Sequence, residues 1–235
     1  MLSITEHPIV QKALGKAQRF GIGAVVHLYC MKVVNRAVTF KILRGMHVRR
    51  PETAFFRLPA GYSAGFKNAA ELARWHDDPA CEMSAQFARH AFGAGDQCYA
   101  ICAGSSLAAY SWYSTRPTPA VSPDLLLHFA PGYVYMYKGF TMKGHRGKRL
   151  HAIGKTHALR HFTAKGYRGL ISYVESTNLE SLRSNARMGC EIFGSIYVLR
   201  LFGRYFTFST PGCWRFDFRL ERSATPRWGW RRGKV

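Results

Sequence analysis

Hydrophobic and polar positions at the start of the chain follow the 3.6-residue period of a helix. Gln11, Lys12, Lys16 and Arg19 fall on the face opposite a run of apolar residues at Ile9, Val10, Ala13, Leu14, Ala17 and Phe20. This pattern predicts a basic amphipathic helix over residues 8–20. Its apolar stripe either packs on the rest of the chain or lies on an anionic membrane, and both interpretations stay open.

The remainder of the chain has the patterning of an α/β protein. Strands are predicted for residues 39–48, 97–103, 107–115, 125–129, 133–142, 169–174, 191–201 and 204–209. Helices are predicted for residues 24–38, 68–76, 79–91, 148–164 and 177–188, with Thr177 and Glu180 as a capping box for the last one. Segments 51–63 and 116–123 are rich in proline and are predicted to be connections.

Charge is the most unusual feature of the composition. The 235 residues include 34 Lys and Arg against 13 Asp and Glu, a formal net charge of +21 at pH 7. Because 47% of the residues are hydrophobic, the chain can bury a core and is not a disordered polycation. The charge predicts a polyanionic partner, which includes nucleic acid, an anionic membrane, an acidic carrier protein and a phosphorylated cofactor.

Targeting and redox signals favour a cytoplasmic chain, with peripheral membrane contact left open. The apolar stretch of residues 20–31 is shorter than the roughly 20 residues of a transmembrane helix. The N-terminus lacks the order of a secretory signal, and the six cysteines contain no C-x-x-C pair. No metal site is predicted, because His157 and His161 have i, i+4 spacing without the H-E-x-x-H glutamate.

The turn between the strand at 133–142 and the helix at 148–164 carries the clearest chemical signal. It reads Lys143-Gly144-His145-Arg146-Gly147-Lys148-Arg149. Backbone N–H groups and the dipole at a helix N-terminus attract anions. Lys148 and Arg149 are unfavourable there by a few tenths of a kcal/mol each unless something negative is bound. The turn therefore predicts a phosphate-binding site.

The same residues resemble the GCN5-related N-acetyltransferase (GNAT) family, whose motif is R-x-x-G-x-G/A at the start of a helix. The match is Arg146-Gly147-Lys148-Arg149-Leu150-His151, and it continues through residues 167–175 and 178–190. It spans about residues 95–210 and does not account for the first ninety-odd residues. We therefore divide the chain into a basic helical extension (1–38), a GNAT-like acyltransferase domain (39–220) and a basic Arg/Trp tail (221–235).

The resemblance implies a mixed, mostly antiparallel sheet flanked by helices, with the fourth and fifth family strands splayed around acyl-CoA. Acetyl-CoA or another acyl-CoA is the implied cofactor, and direct acyl transfer to an amine is the implied reaction. The implied cofactor-binding residues are Gly139, Phe140, Thr141, Arg146, Gly147, Lys148, Arg149, Leu150, His151 and Asn178.

Three residues are candidates for catalysis. Glu175 ends the predicted fifth family strand and is a candidate base acting through water, although a cap or salt bridge explains it equally well. Tyr137 lies on the same strand face as Tyr135 and is expected to line the acceptor pocket, and His128 is a further candidate base. The tyrosine that many family members use as proton donor is replaced by Asn185, to which we assign no catalytic role.

Two departures from the motif leave alternatives open. Arg149 and His151 stand where the family has glycine or a small residue, so either Arg149 compensates by pairing with phosphate or the site has degenerated. The donor is alternatively a long-chain acyl group or an acyl carrier protein. A different class of function is an inactive GNAT-fold module that binds nucleic acid or an anionic membrane.

Overall fold

A computed structural model describes residues 8–76 and 78–223, which form two β-sheets and the helices around them. The helices are α1 (Pro8–Phe20), α2 (Ile22–Ala37), α3 (Ala69–Ala73), α4 (Ala85–Gly93), α5 (Leu150–Ala164), α6 (Leu179–Arg187) and α7 (Pro211–Trp214). The strands are β1 (Thr39–Val48), β2 (Tyr62–Lys67), β3 (Gln97–Ala103), β4 (Ser106–Ser114), β5 (Thr118–Ala120), β6 (Ser122–His128), β7 (Tyr133–Thr141), β8 (Gly169–Glu175), β9 (Glu191–Leu201), β10 (Arg204–Ser209) and β11 (Arg219–Arg222).

The larger sheet has eight strands in the order β10-β9-β1-β8-β7-β4-β3-β2, and the smaller has the order β11-β6-β5. Neighbours in the larger sheet run antiparallel except β7 and β8, which are parallel. The predicted fold class, a mixed and mostly antiparallel central sheet flanked by helices, is confirmed.

Each face of the larger sheet has its own hydrophobic core. Helix α5 covers one face, where its residues Leu150, Ile153 and Phe162 pack with Val134 and Leu170 of the sheet. The other face packs with residues of α4, the smaller sheet and the segment around α7. Gly154 of α5 faces Ile101 and Tyr99 of the sheet, where a Cβ would make an ordinary van der Waals contact at 3.5 Å from Ile101 Cδ1.

The first ninety residues, which the family resemblance did not account for, contribute two strands to the larger sheet. β1 lies between β8 and β9 and pairs antiparallel with both, over Leu43–Val48 and Thr39–His47 respectively. β2 forms the opposite edge beside β3. The expected domain start at residue 39 coincides with the start of β1, and the expected end at 220 falls within β11. The division into domains remains a prediction.

Local predictions failed where short elements are set by tertiary contacts. Strand β2 lies in a segment expected to be partly connection, and β5 lies in the expected loop at 116–123. The helix expected at 79–91 is interrupted by Glu82, whose φ is 49°, and only α4 continues as an α-helix. The expected capping box at Thr177 is wrong by one residue, because Asn178 Oδ1 accepts the Ser181 N–H at 3.1 Å.

The two N-terminal helices are attached to the sheet through specific polar contacts. Asn35 exchanges hydrogen bonds with the backbone of Phe40 at the start of β1, both close to 2.9 Å. His27 Nε2 lies 2.9 Å from Ser176 Oγ, and Arg19 forms an ion pair with Glu180 of α6 at 2.7 Å. Among the described residues, no helix is long and apolar enough to cross a membrane.

Substitution of Gly169 tests the start of β8. Its φ is 152°, and a Cβ would lie 2.3 Å from the backbone oxygen of Val48. Gly169→Ala is expected to lower the free energy of unfolding by about 2–4 kcal/mol, because β8 must shift away from β1. Urea denaturation measures the change. The control Gly65→Ala, which meets no atom within 4 Å, should leave stability within about 0.5 kcal/mol of wild type. Equal effects of the two substitutions would contradict this account.

Candidate functional site

The parallel strands β7 and β8 pair over only three residues and then diverge. The pairs are Tyr133 with Gly169, Val134 with Leu170, and Tyr135 with Ile171. β8 continues along β1 as far as Glu175, while β7 continues along β4. Beyond Tyr135, β7 therefore has no strand partner on its β8 side in the described part of the chain, which leaves backbone groups at its edge for a ligand.

A bulge lies in β7 beside this gap. The β4–β7 register shifts between Tyr110 and Trp112, so that two residues of β7, Lys138 and Gly139, lie opposite Ser111. Lys138 is in the left-handed region with φ 46° and its Nζ is 4.8 Å from the centre of the Phe87 ring. Burial lowers the pKa of Lys138 below its ordinary value. The bulge re-aims the strand at the point where the gap opens.

The basic turn predicted from the sequence ends at an uncapped helix N-terminus. Helix α5 begins at Leu150; no side chain caps it, and its first turn has no acidic residue. Arg146, Gly147, Lys148 and Arg149 are exposed. The N–H groups of the first turn have no intrahelical partner, so the turn combines free donors with cationic side chains at one end of the gap.

Arg149, which stands where the motif has glycine, adopts a left-handed backbone conformation. Its φ is 60° and its ψ is 17°, in the left-handed region that glycine enters without steric cost. For an arginine this conformation costs about 1 kcal/mol. Arg149 is therefore held in a conformation that ordinarily favours glycine, with an exposed guanidinium at the start of α5.

Tyr62 orients the side chains of the turn. Its hydroxyl oxygen accepts a hydrogen bond from Lys148 Nζ at 2.8 Å and lies 2.8 Å from His145 Nδ1. Arg146 Nε donates to the backbone oxygen of Thr141 at 3.3 Å. Three residues of the turn, His145, Arg146 and Lys148, are thus tied to β2 or to the end of β7, which limits the freedom of the cations.

His151 covers Gly139 of β7. A Cβ on Gly139 would lie 2.7 Å from His151 Cε1. Because Cβ atoms project from the face of a strand, the ring covers the face of β7 and leaves the edge of the strand accessible. Burial, together with the charge of Lys155, lowers the pKa of His151 to about 4, so the imidazole is neutral at pH 7.

Asn185, at the position of the family tyrosine, is buried and fully engaged. Its Oδ1 accepts a hydrogen bond from Lys155 Nζ at 2.7 Å, and its Nδ2 donates to the backbone oxygen of Ser181 at 2.9 Å. Lys155 is 3% exposed and also lies 3.0 Å from Cys190 Sγ. These contacts join α5 to α6 and give Asn185 a structural role.

Tyr137 donates a hydrogen bond to the buried carboxylate of Asp96 at 2.5 Å. Burial raises the pKa of Asp96, an effect opposed by the Tyr137 hydrogen bond and by Arg116, whose Nη2 is 4.0 Å away. The Tyr137 ring stacks on Tyr135 with centroids 5.7 Å apart. A cavity beside this pair is lined by residues that include Phe87, His90, Asp96, Arg116, Thr118 and Tyr137.

The other two candidate catalytic residues are engaged in ion pairs. Glu175 contacts the ammonium of Lys41 on β1, which is the salt bridge considered as its alternative role. His128 lies on β6 of the smaller sheet, with Nε2 3.2 Å from the Glu221 carboxylate. A role for His128 or Glu175 in catalysis remains a prediction.

Asp96, Lys138 and Lys155 were missed in the sequence. Asp96 precedes β3 without a motif around it, and the bulge that sets Lys138 apart depends on the register with β4. Lys155 falls outside the apolar stripe predicted for α5, yet it is buried against Asn185 and Cys190, contacts that no local pattern indicates. Across residues 8–76 and 78–223, no cluster of three or more His, Cys, Asp and Glu side chains could hold a metal ion.

Comparison with known proteins gives structural likeness only. No family model and no curated protein matches the sequence. Among solved structures, a Drosophila protein matches with 16% identity and a TM-score of 0.49, over 74% of this chain and 58% of that one. A putative GNAT-family acetyltransferase from Novosphingobium aromaticivorans matches with 18% identity and a TM-score of 0.45, over 80% and 67%.

A GNAT-family acetyltransferase from Colwellia psychrerythraea is also similar, with 14% identity and a TM-score of 0.48, over 77% of this chain and 61% of that one. The Novosphingobium and Colwellia proteins are both described as GNAT-family acetyltransferases. At TM-scores below 0.5 they say nothing about activity or about individual residues. The chain spans less than two thirds of the Drosophila and Colwellia structures.

The neutral state of His151 predicts a pH-dependent stability. Its folded-state pKa of about 4 lies below the ordinary value of 6.5, so the unfolded chain binds the extra proton first. The contribution of neutral His151 to the free energy of unfolding is fully present above pH 6.5. It falls by up to about 3 kcal/mol as the pH decreases towards 4.

Urea denaturation at about pH 7 and about pH 4.5 measures the contribution of His151 to the free energy of unfolding. The wild type is compared with His151→Gln, because the variant lacks this titrating group. His47 and His161, whose pKa values are also lowered by burial, remain in both proteins and cancel in the comparison. The exposed His90→Gln serves as control. An identical pH dependence in wild type and His151→Gln would contradict the neutral, covered state of this ring.

Proposed function

We propose that the chain is an acyl-CoA-dependent acyltransferase that transfers the acyl group directly to an amine. The observation that supports this most strongly is the uncapped start of α5 beside the gap between β7 and β8. Exposed Arg146, Lys148 and Arg149 surround free backbone donors there. Backbone N–H donors and cationic side chains together are what a diphosphate requires. An ordinary solvated turn has no need of this combination.

The residues along the gap are compatible with the rest of the cofactor. Under this proposal the diphosphate binds the first-turn amides of α5, and the pantetheine arm pairs with the free edge of β7 at Gly139, Phe140 and Thr141. Asn178 Oδ1 is used in capping α6, which leaves its Nδ2 to donate towards the arm. When bound, acyl-CoA supplies the thioester whose acyl group is transferred as the thiolate leaves.

Tyr137 and Asp96 are suited to remove the proton of the acceptor amine. The Tyr137 hydroxyl donates to Asp96, so its oxygen retains a lone pair for an N–H group in the adjoining cavity. As the amine loses a proton to Tyr137 Oη, the phenolic proton passes to Asp96 Oδ2. The raised pKa of Asp96 favours this acceptance. Positioning supplies most of the remaining rate enhancement in such a reaction.

Glu175 is an alternative base at the other side of the gap. It ends β8, but its carboxylate is held by Lys41, which is 15% exposed. An ion-paired carboxylate is a weaker proton acceptor than an unpaired one. For this reason we assign the proton to the Tyr137–Asp96 pair and keep Glu175 as the competing candidate.

A second candidate function is a binding module that lacks acyltransferase activity. It is favoured by Asn185, which stands where many family members have a proton-donating tyrosine and whose side chain is engaged with Lys155 and Ser181. Such a module would use its charge to bind nucleic acid or an anionic membrane. The two functions differ in whether CoA binds at the α5 turn.

Thermal unfolding with CoA, acetyl-CoA and a long-chain acyl-CoA tests the proposed site. Ligand at about 100-fold over its Kd should raise the melting temperature by about 5–10 °C, since binding to the folded state adds about 2.7 kcal/mol. Arg146→Ala should reduce this shift strongly, because it removes a cation from the proposed diphosphate site.

The matched control is Arg204→Ala, which removes the same charge from an exposed position on β10. It should keep the full shift. A selective response to long-chain acyl-CoA, or transfer from an acyl carrier protein, would identify the donor. If no CoA species stabilises the wild type, or if Arg146→Ala responds like Arg204→Ala, the acyltransferase proposal fails. Salt-sensitive DNA retention would then favour the binding module.

Asp96→Asn tests the assignment of the base. With an amine acceptor that the wild type acylates, kcat should fall by about 10²-fold with little change in KM. The acidic limb of the kcat/KM profile, which lies above the ordinary range of an aspartate because burial raises the pKa of Asp96, should disappear. Asp124→Asn, on an exposed carboxylate, is the control. Loss of the acidic limb in Glu175→Gln instead would reassign the base.

A further inference from the structure

The outer face of α2 is apolar although it is exposed. Val25, Leu28 and Met31 form the buried side of this helix. Apolar side chains on the opposite side are 75%, 55% and 63% exposed at Ile22, Val26 and Val33. At 100° per residue these three side chains and Cys30, which is also exposed, fall in one stripe directly opposite the buried side.

This stripe is continuous along the helix, whereas exposed apolar residues on an ordinary protein surface are scattered. It runs along α2 from Ile22 to Val33, a distance of about 17 Å along the helix axis. Leu14 of α1 is 50% exposed and Val34 is 39% exposed, so the apolar surface extends beyond the stripe. Single exposed apolar residues are common, but a contiguous set marks an interaction surface.

The charges around the stripe all have one sign. Within the described residues 8–38 there are five cations and no Asp or Glu, the cations being Lys12, Lys16, Arg19, Lys32 and Arg36. Arg19 is held by Glu180 of α6. The other four are exposed, and none forms an ion pair with a described residue.

We propose that the hairpin of α1 and α2 docks on an anionic lipid surface. In this arrangement α2 lies in the plane of the membrane, with Ile22, Val26 and Val33 at the boundary between headgroups and acyl chains. Lys12 and Lys16 contact the lipid phosphates. Exposed apolar side chains flanked by lysine and arginine are what interfacial binding requires.

Charge complementarity favours lipid over a second copy of the chain. A dimer formed through this surface would bring the cations of two hairpins together without an acidic partner from the hairpin itself. An anionic bilayer instead attracts each nearby cation by about 1 kcal/mol. The proposal concerns this surface alone and does not depend on the acyltransferase activity.

A second exposed apolar surface, on β10, provides a matched comparison. On β10, Phe206 and Phe208 are 55% and 67% exposed, in the same range as Val26 and Val33. Strand β11 of the smaller sheet contacts β10 through Thr207 and Leu220. Around β11 both signs of charge are present, because Arg219 forms ion pairs with Asp217 and Glu221. β10 therefore has exposed apolar area without the purely cationic setting of the hairpin.

Vesicle flotation of the full chain tests the proposal. The vesicles are phosphatidylcholine alone and phosphatidylcholine with roughly 30% phosphatidylglycerol, a content that gives an anionic surface. Val26→Gln with Val33→Gln removes apolar area without changing charge and keeps a good helix former at both positions. Lys12→Gln with Lys16→Gln removes charge, and Phe206→Gln with Phe208→Gln is the control. Circular dichroism establishes that all variants are folded.

The wild type is expected to float with the anionic vesicles. The Val26/Val33 variant should lose at least about tenfold in partitioning, because two buried apolar contacts are removed. The Lys12/Lys16 variant should lose about 30-fold in partitioning on anionic vesicles, since two cations contribute about 1 kcal/mol each, and nothing on neutral ones. The Phe206/Phe208 variant should match the wild type.

Three results would overturn the proposal. One is a wild type that floats with neither kind of vesicle. Another is a Phe206/Phe208 variant that loses as much partitioning as the Val26/Val33 variant, which would move the docking surface to β10. The third is a wild type that does not float and is dimeric in sedimentation velocity, while the Val26/Val33 variant is monomeric. The stripe would then bind a second copy of the chain. CoA stabilisation is measured on the same proteins, so this result and that of the acyltransferase proposal are separable.

Discussion

The short parallel contact between β7 and β8 is the constraint on which the rest of the site depends. Three residue pairs hold the strands together, and different neighbours then draw them apart. β1 keeps β8 in an antiparallel ladder to Glu175, while β4 follows β7 through the bulge at Lys138. Gly169 allows this arrangement because β8 begins against the backbone of Val48, where no side chain fits. The gap is therefore a consequence of sheet register and not of a mobile loop.

The position of β1 also links the N-terminal helices to this gap. Because β1 lies inside the sheet, the helices before it are attached to a central element. His27 contacts Ser176, which directly follows β8, and Arg19 contacts Glu180 on α6. Helix α2 is thus held beside the end of β8, where the two parallel strands have separated.

The sequence predicted elements with strong periodicity and missed those defined by partners. Helix α5 and strands β7 to β9 carry clear patterns, and the basic turn was correctly located between β7 and α5. Strand β2 has a weak alternation and is stabilised by its ladder with β3. The pairing of Tyr137 with Asp96 joins residues 41 positions apart, and no local pattern reports such a contact. The central place of β1 is likewise a property of topology.

Several local costs converge at the start of α5, and their coincidence is informative. Arg149 is in a left-handed conformation that costs about 1 kcal/mol. The helix has no side-chain cap, which forgoes about 1 kcal/mol of capping energy. Lys148 and Arg149 oppose the helix dipole by a few tenths of a kcal/mol each. Neutral His151 adds no further positive charge at pH 7. A bound anion would accept hydrogen bonds from the free N–H groups and would attract both the helix N-terminus and the cations of Lys148 and Arg149. No single substitution in the turn would remove all of these costs. Strain that persists at one turn is characteristic of functional sites, and here it falls at the end of the gap between β7 and β8.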